Sequence, residues 1–213
     1  MRPGAEVTNL SRMDPKKKLE AKQFPRLRGL KGISDQVLQN HLELYAGYVK
    51  NVNELNSQLD GLRKEGKAQA TNLAYAEMTR RLGFEFDGAI LHELYFSNLA
   101  PEPDPLDQNS PLGQLLAQSF GSVAEWLADF KAVAAMRGVG WAITYQNPET
   151  RLLGNHWIEL HQGGHPSGHK AIVVLDAWEH AFVPDYKPTE RANYIEAYLK
   201  NLDYRACGAR LIK

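Results

Sequence analysis

Apolar or ring-bearing side chains recur at Val37, His41, Leu44, Tyr45, Tyr48, Val52 and Leu55, in steps of three and four. That spacing predicts one face of a helix, with Ser34 as its N-cap and Asp35 at the positive end of the helix dipole. A second helical pattern runs over 67–82 through Ala68, Leu73, Ala76 and Met78, and Gly83 is placed to end it. A third runs over 84–99 through Phe84, Gly88, Leu91, His92, Tyr95, Phe96 and Leu99. Prolines 101, 103, 105 and 111 then stop any helix. A short helix over Gly113–Gln118 follows, and Ser122 caps another running to Met136. Beyond Gly138 the period changes. Trp141–Tyr145, His156–His161 and 171–176 read as strands, the first two joined by a turn at Asn147–Thr150. Pro188 opens a last helix over 188–201. The fold class expected is α+β: an N-terminal helical hairpin, then a helix-flanked three-stranded antiparallel sheet. The expected divisions are a flexible basic tail over 1–23, a helical-hairpin domain over 24–100 and an α/β domain with the sheet over 111–213.

Charge is balanced overall and unevenly spread. Residues 1–33 hold nine Lys or Arg against three Asp or Glu, so the body is acidic. No basic stretch interleaved with aromatics occurs in that body, which argues against nucleic acid. No run approaches the roughly 18 apolar residues that a membrane span needs. The single cysteine, Cys207, excludes an intramolecular disulfide and suits a reducing, cytoplasmic setting.

Candidate chemistry begins at 171–182, where five apolar residues run into Asp176 and His180 follows four positions on. A carboxylate at the end of a buried strand needs a partner. A metal shared with His180 supplies one, and a cap on the following turn supplies another. His41 and Tyr48, seven residues apart on one helix, face the same way at about 3.6 residues per turn. His92 lies on the apolar stripe of its own helix with Gly88 one turn before it. Glycine there costs about 1 kcal/mol relative to alanine, so something needs the space. Taken alone, each histidine also reads as plain core. His156, His161, His165 and His169 form a second histidine-rich stretch, for which a separate zinc site is the less favoured reading.

Asp176-Ala-Trp178-Glu179-His180-Ala181 resembles the Asp-x-Trp-Glu-His-Ala signature of the iron/manganese superoxide dismutase family. His92-Glu-Leu-Tyr95-Phe96 is similar to that family's second ligand helix. Phe120–Val123, Gly140–Ala142 and Asn193–Asn201 also match family segments.

The resemblance implies metal-dependent disproportionation of superoxide to dioxygen and hydrogen peroxide, an antioxidant role. It implies that His41, His92, Asp176 and His180 hold one ion per chain, with Tyr48 close to the ion's bound water. An amide from the sheet is the water's expected partner, with Gln162 the nearest match and His161 its rival. Trp141 and Trp178 are expected to wall the site. Glu179 is expected to reach the ligand histidine of a partner subunit in a homodimer or higher homo-oligomer. Gly88 and Gln162 favour manganese over iron.

The chain departs from the family in its first helix. The family usually places its first histidine eight residues before the tyrosine, which here is Asn40, and His41 is offset by one. That offset leaves an alternative: a non-dismutase redox enzyme, or a metal-binding structural homologue, on the same four side chains.

Overall fold

Why the chain turns back on itself is plain from its caps. In the computed structural model, which describes residues 18–183 and 185–212, the Ser34 hydroxyl accepts from the Val37 amide and starts α1, Asp35–Lys64. Asn72 caps α2, Leu73–Ser97, through the Tyr75 amide. The two long helices form the helical hairpin, burying Val37, Leu38, Tyr45, Val49, Val52 and Leu59 of α1 and Ala89, Leu91, Tyr95 and Phe96 of α2.

Two expected helices are therefore one. Gly83 does not terminate a helix, because it keeps a negative φ inside α2 and the chain continues through it. A glycine penalty of about 1 kcal/mol is too small to break a helix that packs along its length. Only residues 18–23 of the expected tail are described. They lie along α1: Leu19 and Asn53 exchange hydrogen bonds of 2.8 and 2.9 Å, and Lys22 Nζ is 2.7 Å from Glu93 Oε2.

After the proline segment come α3, Pro111–Phe120, and α4, Val123–Ala134, capped by Ser110 and Ser122. The sheet follows, with β1, Gly140–Gln146, between β2, Leu153–Glu159, and β3, Lys170–Asp176, all antiparallel. Every residue of β1 is buried, as suits a central strand covered on both faces. β2 begins and ends earlier than expected, so His161 lies beyond the strand in a tight turn. The C-terminal helix divides into a 3₁₀ turn, Pro188–Glu190, and α5, Arg191–Lys200; a short α6, Tyr204–Gly208, follows that the sequence pattern did not suggest.

The two halves are tied together by buried polar groups. Asn98, just past α2, donates 2.9 Å to the Val174 carbonyl of β3, and the Ala100 amide donates 2.9 Å to Asn201. These bonds fix the end of α2 against β3, and with it the height of His92 relative to Asp176.

Candidate metal centre

Asp176 ends β3 directly opposite Trp141 of β1, so both side chains leave the same face of the sheet. Its Oδ1 accepts 2.8 Å from the Trp178 amide. That bond is a local turn of the aspartate type and not the N-cap expected: the 3₁₀ turn that carries His180, Glu179–Ala181, starts at Trp178 without a side-chain cap. One carboxylate oxygen thus turns the backbone and the other faces the histidines.

Three imidazoles converge on that second oxygen. His180 Nε2 lies 3.0 Å from Asp176 Oδ2, His41 Nε2 3.1 Å and His92 Nε2 3.6 Å. One ligand-capable atom from each of the four residues lies within 4.8 Å of all the others. His41 is in the cluster, while Asn40 is exposed and accepts from Gln36 on the outer face of α1. The helix is regular throughout, so seven residues bring His41 and Tyr48 to one side.

The donor set fits a metal ion on an independent observation. His92 Nδ1 donates 2.6 Å to the Gly88 carbonyl, which leaves the Nε2 lone pair outward, and that Nε2 is buried with no hydrogen-bond partner among the described residues. A buried ring nitrogen of this kind is costly unless something accepts its lone pair. Burial also holds the pKa of His41 down and that of His92 well down, which keeps both rings in the neutral, ligating form. Burial alone would raise the Asp176 carboxyl. The adjacent imidazoles of His180 and His41 outweigh it and hold the group ionised far below the usual range.

Tyr48 and His161 form the next layer. Tyr48 Oη is 2.8 Å from His161 Nε2, and Trp141 Nε1 donates 3.1 Å to His161 Nδ1. The indole can only donate, so Nδ1 is the acceptor nitrogen and Nε2 carries the hydrogen. Burial lowers the His161 pKa to about 4, in keeping with a neutral ring. The Tyr48 hydroxyl is pushed up by burial, then by Asp176 and Glu85, so it keeps its proton.

Gln162 is not in this layer. It is exposed, and its side chain only accepts a 3.3 Å bond from the His161 amide. His161, the rival, bonds Tyr48 instead, because the turn after β2 points position 161 inward and 162 outward.

Trp141 and Trp178 both wall the site. Trp141 lies edge-on to His92 at 5.0 Å, and Trp178 stacks on His161 at 4.8 Å. Two neighbours had no role in the sequence reading. Phe84 packs on His161 at 4.5 Å with Arg81 over its outer face at 4.1 Å, and the Tyr194 hydroxyl donates 2.8 Å to the Asp176 carbonyl. Tyr194 was within reach, since it lies in the matched segment Asn193–Asn201; Phe84 was one apolar residue among many. Glu179 is exposed on the 3₁₀ turn. The four clustered histidines separate: His161 enters the site, His165 lies behind it, and His156 and His169 face each other at 6.3 Å without joining any metal-competent group among the described residues.

A helical hairpin and a sheet that bring three imidazoles and one carboxylate to one point form, among the described residues, a group able to hold a metal ion. Comparison with known proteins specifies which. Residues 108–210 match the family model of iron/manganese superoxide dismutases, C-terminal domain. The chain is 31% identical over 199 residues to a protein named superoxide dismutase [Fe] from Aquifex pyrophilus, covering 92% of each chain. It is 31% identical over 179 residues to superoxide dismutase [Mn] 2 from Haloferax volcanii, covering 84% of this chain and 86% of that one. The chain belongs to the iron/manganese superoxide dismutase family.

Proposed function

We propose that the protein is a superoxide dismutase, converting two superoxide anions and two protons to dioxygen and hydrogen peroxide. The observation that carries this is the convergence of His41, His92, Asp176 and His180 in a chain alignable with named dismutases across most of its length. These four residues would hold manganese or iron, which when bound supplies an electron acceptor and donor cycling between the 3+ and 2+ states.

The remaining work falls to the chain itself. Trp141, Trp178 and Phe84 keep the pocket dry. Tyr48 holds a proton at its hydroxyl, and His161 Nε2–H orients that oxygen, so the Tyr48 proton faces the pocket rather than the imidazole. Dioxygen leaves without a proton, whereas peroxide needs two, so this pair serves the second half of the cycle. A coupled superoxide assay on protein of known metal content tests the reading. Metal at one ion per chain with no dismutation would support instead the non-dismutase redox enzyme or the metal-binding structural homologue.

Manganese remains the favoured ion on Gly88 alone, since Gln162 lies outside the site. Metal analysis of protein from its native source showing iron alone would reverse that preference. We also propose a homodimer. Glu179 is an exposed carboxylate next to a ligand, and the nearby Leu160 and Val183 are exposed apolar side chains. Light scattering giving a monomer at micromolar concentration would count against it. The division into 24–100 and 111–213 follows the proline segment between α2 and α3. No helix of the described residues is long and apolar enough to cross a membrane, and the lone buried Cys207 fits a cytoplasmic setting.

A further inference from the structure

We propose that His165 is a positioning residue for His161, holding the turn that aims the His161 imidazole at Tyr48; this deepens the dismutase reading and rests on it. The turn needs holding. Glu159 and Gly163 close it with reciprocal backbone bonds of 2.8 and 3.0 Å, leaving Leu160, His161 and Gln162 at its tip. Leu160 sits at φ +53°, a left-handed conformation that costs a non-glycine residue free energy and persists only when its surroundings enforce it.

His165 supplies part of that enforcement. Its Nε2 lies 2.7 Å from the His161 carbonyl, which can only accept, so Nε2 is the donor. Its Nδ1 lies 2.6 Å from the hydroxyl of Tyr145, a residue of the central strand that is 4% exposed. Asp87 Oδ2 of α2 stands 3.9 Å from the same Nε2. A line of contacts therefore runs from the sheet core through His165 to the backbone of His161, and from the His161 ring to Tyr48. The backbone of residue 161 is gripped from behind by His165, while its ring is gripped by Trp141. If the carbonyl is released, the turn relaxes and the ring's single N–H loses its aim.

The test compares His165→Leu, His165→Gln and Tyr145→Phe in the full chain. Glutamine keeps an N–H able to reach the His161 carbonyl; leucine does not. Metal content and thermal midpoint are measured alongside kcat and kcat/KM. The indole N–H signal of Trp141 is followed in the metal-free chain, assigned through Trp141→Phe. Capture of superoxide needs no proton, whereas release of peroxide does. His165→Leu is therefore expected to lower kcat about tenfold with kcat/KM nearly unchanged, and to move the Trp141 signal. His165→Gln should restore both, and Tyr145→Phe should fall between. Should the leucine variant fail to fold, the other two carry the comparison. The proposal is overturned if kcat and the Trp141 signal do not change in His165→Leu, or if glutamine restores neither. A wild-type chain that loads metal but does not dismutate would sink the dismutase reading, and the Trp141 signal would still decide whether His165 positions His161.

Discussion

Gly88 lies directly beneath the ring of Tyr48. A Cβ at position 88 would stand 2.8 Å from Tyr48 Cδ1 and 3.0 Å from Cε1, closer than carbon atoms pack. The same glycine's carbonyl accepts from His92 Nδ1. One residue without a side chain thus serves both helices of the hairpin: it admits the tyrosine from α1 and orients the histidine on its own helix.

Gly88→Ala follows from that contact. Alanine gains up to about 1 kcal/mol of helix propensity, against about 1–3 kcal/mol for forcing an atom into a filled site. The expected net is a loss of about 1 kcal/mol in urea unfolding, together with lower activity as the Tyr48 hydroxyl moves off His161. A variant that is more stable and equally active would show that the Tyr48 ring yields freely.

The offset in the first helix sets up a paired experiment. His41 is buried against Asp176, while Asn40 is exposed. His41→Ala should therefore leave the chain with little bound metal after reconstitution, while Asn40→Ala should bind metal and act as the unaltered chain does. Elemental analysis reads the difference directly. Equal metal in both variants would remove His41 from the donor set.

Much of this site was legible because it is local in sequence. Asp176 and His180 are separated by one turn of chain, and His41 and Tyr48 by two turns of one helix, so spacing alone places each pair. Gly88 announced itself as a cost inside a helix, and the packing of Tyr48 against it is the reason. The choice between His161 and Gln162 was not legible. It depends on which way a tight turn points two adjacent side chains, and that is set by a left-handed Leu160 that periodicity does not reveal. Gly83 misled for a related reason: its local cost predicts an end, while the packing of α2 on α1 and β3 carries the helix through.

Tyr48→Phe removes one oxygen and leaves the ring against Gly88. Metal content and the thermal midpoint should stay near those of the parent chain, since none of the four converging atoms belongs to Tyr48. Turnover limited by protonation should fall, by about 10²-fold at most for the loss of one proton-handling group. Rapid mixing at high superoxide is the measurement that separates this from slower capture. Loss of metal would contradict the role given to Tyr48.

Acid should unfold the metal-free chain through its buried histidines. An unfolded histidine titrates near pH 6.5, whereas burial holds His41 and His92 lower and His161 at about 4. Between about pH 6.5 and 4 the unfolded chain therefore binds more protons, so stability is fully present above that window and declines as pH falls through it. His161→Gln isolates one share of the effect. Glutamine offers an acceptor to Trp141 and an N–H to Tyr48 with nothing to titrate, so the slope of stability against pH should flatten by up to about 1.4 kcal/mol per pH unit, one proton's worth. Urea unfolding of both metal-free chains between about pH 4.5 and about pH 7.5 measures it. Parallel slopes would mean that His161 takes up its proton alike in the folded and the unfolded chain, so that burial does not hold its pKa down.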